Sequence, residues 1–587
     1  MFLNLHLIHL KVTFKVLAVN GKPYVNIGEN QYEMTLKEYP LYKAEVEVNE
    51  YPVIYNYGIN YDDGTAAKEA FSRKRNQNEK SLNEFFDRQV TTQEHPPIPK
   101  AYEPFEFYKP SKLYDETFVD TIIVNCNPLD LQQMYFNPVN KTLETQAEVI
   151  YASPYTVKTF KQASFSISGQ STRKVPKLSY KIKDLKTEDN KELYSRTSIK
   201  LRAEHMDPSF MRDKIYSDIL NSLGVPAAQN KFARLFINGE AVGLFVISDD
   251  ISNSRYLRET FNKGEKFTNI PSLFKADYCA HCAIGCVYGD LGYHGENTTD
   301  PMYSIYMYKG KDKTIGGHEH VVQEILPLIK DINAYQMRLT EVMPLDIDTF
   351  LKYMAVEFLA GAIDNFWSKP GNYFLFRDND RNQWYFHDAD FHFTFGVGGQ
   401  PDKMLNTPLN LYPPGFDNVT TARPPLDAIL SRPDNASKFN EIFHRLFSTS
   451  FHTGSIFPRI DSMISLIRED ADWDFGIPRV NQALDQIDVE YDYKIDDFLV
   501  HTTGMKSRDR FGDVPIRFFI YNKIKLLSEE LNIQIPSEPL NDLGYVEYPK
   551  AEEKNSEKNK DESGTLQSIS WSIFSALIIL YLSYILL

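Results

Sequence analysis

Residues 361–399 constrain the chain more than any other stretch, because their pattern sets a local fold and a charge problem together. The apolar runs 373–376 and 384–386 have strand character, and the turn-forming cluster 378–382 lies between them, so a hairpin is expected. A hairpin returns the chain to where it began. Asp364, in the loop before the first strand, is thereby brought near Asp388 and Asp390, just past the second. Neighbouring carboxylates repel unless a cation or a proton neutralises them. The segment therefore has the character of a divalent-metal and catalytic-carboxylate site.

The rest of the chain has to support such a site. At 587 residues, 13% of them aromatic, it can bury a large core spread over several domains. A net charge of -15 argues against a backbone-driven nucleic-acid binder, which needs a basic face. Cys126 stands alone, whereas Cys279, Cys282 and Cys286 cluster around His281. In an oxidising compartment four cysteines favour two disulfides, and in the cytosol the cluster with His281 favours zinc.

The C-terminus bears on the compartment. Residues 571–587 are uncharged and largely apolar, and the polar stretch before them contains Ser556, Ser563 and Gly564. Small residues, a polar spacer and an apolar tail make the pattern of a glycosylphosphatidylinositol (GPI) attachment signal. As a helix this tail reaches about 26 Å against a hydrocarbon core of ~30 Å, which is short for the alternative, a membrane-anchoring helix. Sequons at Asn140, Asn297, Asn418 and Asn435 fit a secreted glycoprotein. Residues 1–10 are apolar but lack a basic n-region, and are assigned as a truncated signal segment.

Between the ends, residues 11–88 alternate apolar and polar positions around Asn-Gly and Gly-Glu-Asn turns, which predicts a small antiparallel β-sandwich. A Pro-rich linker, 89–114, follows. Further on, a strand enters the polar turn Gly169 to Arg173, where glycine admits close approach of a ligand and the hydroxyls and Arg173 suit phosphate oxygens. Lys177 and Lys181 lie on the strand beside it. The Asp207-Pro208-Ser209 sequence opens a helix with proline in its first turn and Gly224 at its stop. Residues 232–237 and 243–247 flank Asn238-Gly239, a strong hairpin signal. Later content is mainly helical, including 514–531, and residues 536–570 resemble a flexible acidic stalk.

Taken in order, Gly169-Gln-Ser-Thr-Arg-Lys-Val-Pro-Lys, Asp207-Pro-Ser-Phe-Met-Arg, Leu235-Phe-Ile-Asn-Gly-Glu, Asp364 with Gly371-Asn372-Tyr373-Phe374, and Asp390 leading to Phe395-Gly396 resemble the spore coat protein H (CotH) kinase family. More narrowly, the chain is similar to the CotH-like surface proteins, or invasins, of mucoralean fungi. The resemblance spans residues 115–535. It implies an α+β, atypical protein-kinase-like two-lobed domain that transfers the γ-phosphoryl of ATP, with Mg²⁺ or Mn²⁺, to Ser or Thr of secreted or surface proteins. In that reading Asp364 is the catalytic acid that orients the acceptor hydroxyl, and Asn372 is a metal-ligating amide. Asp390 is the metal-binding acid when the motif is anchored on Phe395-Gly396, and Asp388 takes that role when it is not. Gly169 and Arg173 belong to the phosphate turn, with Lys177 as the phosphate lysine and Lys181 as its alternative. Ser168 stands where the family often has arginine, and His387 and His392 replace aromatic surroundings of the acidic pair. An adhesin that binds a host-cell receptor from a membrane-anchored position is the competing function. Sugar binding by residues 11–88 is a third.

Overall fold

Period-two alternation in the N-terminal residues produces paired strands with one buried face. In the computed structural model, which describes residues 10–551 apart from 278–279, 283–284, 417–418, 484, 486–491 and 506–511, Leu10–Leu17 pairs antiparallel with Leu41–Val48. Lys22–Ile27 pairs with Val53–Asn60 in a second sheet. Val12, Phe14 and Val16 from the first sheet share a core with Val25, Tyr55 and Tyr57 from the second. Both tyrosine hydroxyls donate to the buried Glu84 carboxylate, at 2.8 and 2.6 Å.

The Pro-rich segment expected to be a linker is instead docked. Arg88 before it pairs with the buried Asp470 at 3.1 Å, and Ala101 donates its N–H to the Ser222 carbonyl at 2.9 Å. Ile98, Ala101, Leu113 and Tyr114 are all buried. Proline content indicated extension correctly, but the apolar residues between the prolines have a core to enter.

Seven described strands then close into a barrel in the spatial order Asp120–Cys126, Thr145–Ala152, Val157–Ile167, Tyr180–Lys183, Ser198–Arg202, Glu240–Asp249, Asn230–Ile237. Closure comes from the parallel pairing of the first and last of these, Asp120↔Ala233 to Val124↔Ile237. The Asn238-Gly239 hairpin forms as expected, with Ile237 opposite Glu240. Ile122, Phe165, Ile182, Leu201 and Phe245 fill the interior.

The helix Arg212–Leu223 joins the barrel to a second, larger core. Ile215, Tyr216 and Ile219 pack there with Phe350 and Met354 of the helix Ile347–Ala360 and Phe519 of the helix Ile516–Glu530. Gly224 stops it in a left-handed cap at φ 64, as the sequence indicates. Its start differs. The Asp207 carboxylate accepts N–H bonds from Ser209 at 2.9 Å and Arg212 at 3.0 Å across a non-helical turn, and Phe210 has φ 58, so Pro208 precedes the helix rather than sitting in its first turn.

The predicted hairpin is present as Tyr373–Asp378 and Gln383–Asp388, with Tyr373 opposite Asp388, and it extends a sheet that contains Ser272–Ala276 and Tyr306–Tyr308. Phe386 is fully buried and stacks on Tyr373 with centroids 4.8 Å apart. Burial of such a ring stabilises by about 2–3 kcal/mol, with roughly 1 kcal/mol more from the ring pair. The architecture is α+β.

Three further expectations change. The stretch 536–548, read as the start of a stalk, is strapped to the body: Leu540 donates to the Ser448 carbonyl at 2.7 Å, Val546 to that of Ile98 at 2.8 Å, and Tyr548 to the Asp218 carboxylate at 2.5 Å. Cys286 is disulfide-bonded and Cys126 is a free thiol, so the expected two bridges among the four cysteines do not form. The sequon at Asn435 is buried in the helix Pro433–Ser448, its amide bonded to Tyr335 and to the Ile429 carbonyl, whereas Asn140 and Asn297 are exposed. The assigned signal segment and the apolar tail lie outside the described residues, and no described helix is long and apolar enough to cross a membrane.

Candidate functional site

The helix Ile347–Ala360 delivers the chain to the site. Asp346 caps its start through Thr349 N–H at 2.9 Å, and Gly361 ends it at φ 58. A Cβ on Gly361 would meet the Phe519 ring at 2.5 Å, so both backbone and space require glycine. Asp364 follows in the loop. Its Oδ2 accepts from Asn372 Nδ2 at 2.9 Å, and the same amide donates to the Asp364 carbonyl at 3.1 Å. Asp364 Oδ1 is buried without a partner among the described residues. Burial pushes this carboxyl up to about 7, with His392 opposing and Asp390 adding to the shift.

The loop between Asp364 and Asn372 is held from outside by a residue the sequence does not reveal. Arg423 is fully buried and donates to the carbonyls of Phe366 and Trp367, each at 2.9 Å, and of Ser368 at 2.7 Å.

Past the hairpin, the two acids of the Asp-Ala-Asp pair have opposite environments. Asp388 faces the core, where it accepts from Tyr216 at 2.5 Å, Asn365 at 2.7 Å and its neighbour Ala389 N–H at 3.0 Å. Both of its oxygens serve protein donors, which makes it a strut, and burial pushes it up to about 7. Asp390, by contrast, has a side chain that is 39% exposed. Asp390 Oδ1 accepts from Arg202 and from His392 Nδ1, each at 2.7 Å. Burial works against its ionisation, but these two cations outweigh burial and hold Asp390 well below the usual carboxylate range. In return, although burial disfavours the imidazolium, Asp390 raises His392 to about 9.

The Arg212–Leu223 helix positions this acidic segment. Tyr216 holds Asp388, the Asp213 carboxylate accepts the Phe391 N–H at 2.9 Å, and the Arg212 guanidinium binds the carbonyls of Thr394 and Val514, each at 3.1 Å. Asp213 also pairs with Arg202, which ties the helix to the barrel strand Ser198–Arg202.

On the barrel side, Lys181 lies opposite Lys200 in register, and Lys200 and Arg202 share a strand face two residues apart. Lys181 pairs with Asp250 at 2.7 Å and is 27% exposed. Burial lowers Lys200 to about 8 despite Asp250, with Lys275, Lys181 and Arg202 adding to the effect. Lys177, the first-choice phosphate lysine, is only 2% exposed. It is committed to Asp474 at 2.8 Å beneath the rings of Phe210 and Phe245. Of the two, Lys181 is the more exposed. Gly169 has φ 97 as a turn glycine, but Arg173 uses its guanidinium on the carbonyls of Gly169, Pro138 and Ile167 and so braces the turn rather than offering charge to a ligand. Residue types alone do not single out Arg202 and Lys200. The alternation from Ser198 to Arg202, which puts two cations on one face, was the available signal.

Among the described residues no three His, Cys, Asp or Glu side chains converge. Oxygen donors of the kind a hard cation takes are present on Asp390, whose Oδ1 already accepts from Arg202 and His392, and on the Asn372 side-chain amide.

A family model described as CotH kinase protein matches residues 165–496, more than half of the chain. The chain belongs to the CotH kinase family. Spore coat protein homolog 1 of Rhizopus delemar is 26% identical over 486 residues, covering 80% of this chain and 73% of that protein. Invasin CotH3 of the same fungus is 24% identical over 549 residues, covering 90% and 86%. Inner spore coat protein H of Bacillus subtilis is 22% identical over 272 residues, 46% and 67%. The matched region therefore contains the Asp364 loop, the hairpin and the barrel strands from Tyr180–Lys183 onward.

Proposed function

We propose that the barrel and the helical portion carrying the hairpin act as two lobes of an atypical protein kinase, which transfers the γ-phosphoryl of ATP to a Ser or Thr hydroxyl of secreted or surface proteins. One observation carries this reading: Asp364, raised to about 7 and oriented by Asn372, stands beside Asp390, which is held ionised and linked by Arg202 to the cationic barrel face. Phosphoryl transfer needs such a division, with one acid near the nucleophile, one acid for a cation, and positive charge for the phosphates.

Asp364 Oδ1 is the free acceptor for the hydroxyl proton, and the Asn372 amide fixes the carboxylate plane. As the serine oxygen bonds to the γ-phosphorus, the bond to the β-phosphate oxygen breaks, ADP leaves, and the proton goes to Asp364. Asp390 and Asn372 Oδ1 would hold Mg²⁺ or Mn²⁺, which supplies charge neutralisation at the phosphates when bound. Lys181 and Lys200 meet phosphate oxygens, and Lys181 keeps its Asp250 partner to set its direction.

The full chain, incubated with labelled ATP and Mg²⁺ or Mn²⁺, should incorporate phosphate into itself or an added protein, and Asp364→Asn should not. No incorporation together with no ATP binding by calorimetry would sink the reading.

The relatives named as invasins favour a second role, an anchored surface adhesin that contacts a host receptor. The two roles separate in Asp390→Ala, which removes phosphorylation and leaves host-cell binding intact. Release of the protein from cells by a phosphatidylinositol-specific phospholipase tests GPI attachment through residues 571–587.

A further inference from the structure

A cavity of about 410 Å³ opens between the helix Ile516–Glu530, the segment 405–411 and Phe358, which lies three residues before Gly361. This volume falls in the range of small-molecule sites. Leu405, Leu411, Leu526 and Leu527 line it. Lys523 also lines it, yet its side chain is almost fully buried. Its Nζ donates to the Met404 carbonyl at 2.9 Å and stands 3.7 Å from the Phe358 ring centroid and 5.8 Å from that of Tyr412.

No carboxylate among the described residues lies within ion-pair distance of this ammonium. Glu530 also lines the cavity, but its oxygens accept the backbone N–H groups of Leu409 at 3.0 Å and Asn410 at 3.3 Å. A buried ammonium with one carbonyl partner and two aromatic faces lacks the counter-charge that normally accompanies burial. Burial accordingly lowers Lys523 to about 7, with Glu530 only partly opposing.

We infer that this cavity binds a small apolar carboxylic acid, whose carboxylate pairs with Lys523 and whose hydrocarbon chain lies against the leucines. A single ammonium with no arginine beside it suits one carboxylate rather than a phosphate, which needs several donors. Lys523 is buried while Leu411 and Leu526 on the same cavity are exposed, an arrangement that suits a slender chain rather than a folded partner. This site is independent of the phosphoryl-transfer reading.

Decanoate is the probe, with decanol as its uncharged counterpart, titrated calorimetrically into the full chain. Decanoate should bind at one site, and both decanol on the wild type and decanoate on Lys523→Met should bind about tenfold more weakly or worse. Absence of decanoate binding, or equal affinity for the two probes, overturns the proposal. Should Lys523→Met fail to fold, Leu526→Trp at the exposed mouth decides: the folded variant should lose decanoate, and undiminished binding there overturns the proposal.

Discussion

Arg202 reaches from the barrel to Asp390 beside the hairpin, Nη2 to Oδ1 at 2.7 Å, while its Nε pairs with Asp213 on the intervening helix. One guanidinium thus joins the barrel strand, the organising helix and the acidic segment. Arg202→Met leaves the buried Asp213 without its cation and should destabilise the fold by about 3 kcal/mol, as for a broken buried ion pair. Urea unfolding followed by circular dichroism measures this, and a loss below about 1 kcal/mol would contradict it.

Asp364 should impose a pH profile on phosphoryl transfer. With its carboxyl at about 7, the base form grows as pH rises through neutrality, so kcat/KM should climb below pH 7 and level off above it. Asp364→Asn should lower kcat by about a hundredfold or more and abolish that limb. A rate flat across neutral pH in the wild type would remove Asp364 from the base role.

The His392–Asp390 pair should shape alkaline stability. His392 is raised from 6.5 to about 9 in the fold, so the folded state binds the proton more tightly than the unfolded chain does. The contribution is therefore fully present below pH 6.5 and is lost as pH rises through about 9. Thermal unfolding from about pH 6 to 10 should show this decline in the wild type and a shallower one in His392→Gln. Equal slopes would count against it.

Arg423 should act on catalysis through the loop it clamps. Arg423→Lys keeps the charge but loses the planar fork that binds three successive carbonyls. Misplacing Asp364 relative to Asn372 should cost on the order of tenfold to a hundredfold in kcat while ATP affinity stays the same. Hydrogen exchange at residues 364–372 should speed up. Unchanged exchange with unchanged kcat would show the clamp to be dispensable.

What residue order determined by itself was local. The hairpin pairing of Tyr373–Asp378 with Gln383–Asp388, the Asn238-Gly239 turn and the Gly224 stop follow from turn chemistry and period, which act within a few residues of the chain. The hairpin pairing alone puts Asp388 at the end of its second strand, opposite Tyr373, and Asp390 two residues beyond. Tertiary structure decided what each side chain then does. Asp388 and Asp390 are two residues apart and equally acidic in sequence, yet Tyr216 and Asn365 turn one into a strut while Arg202 and His392 hold the other ionised. Lys177 met Asp474, and Arg173 met the Pro138 carbonyl, across separations that no local pattern encodes. The docked segments 89–114 and 536–548 were likewise composed like tethers but found apolar and charged partners in distant parts of the chain. A backbone turn is set by neighbours in sequence, whereas the charge state and direction of a buried side chain are set by whatever the fold packs against it.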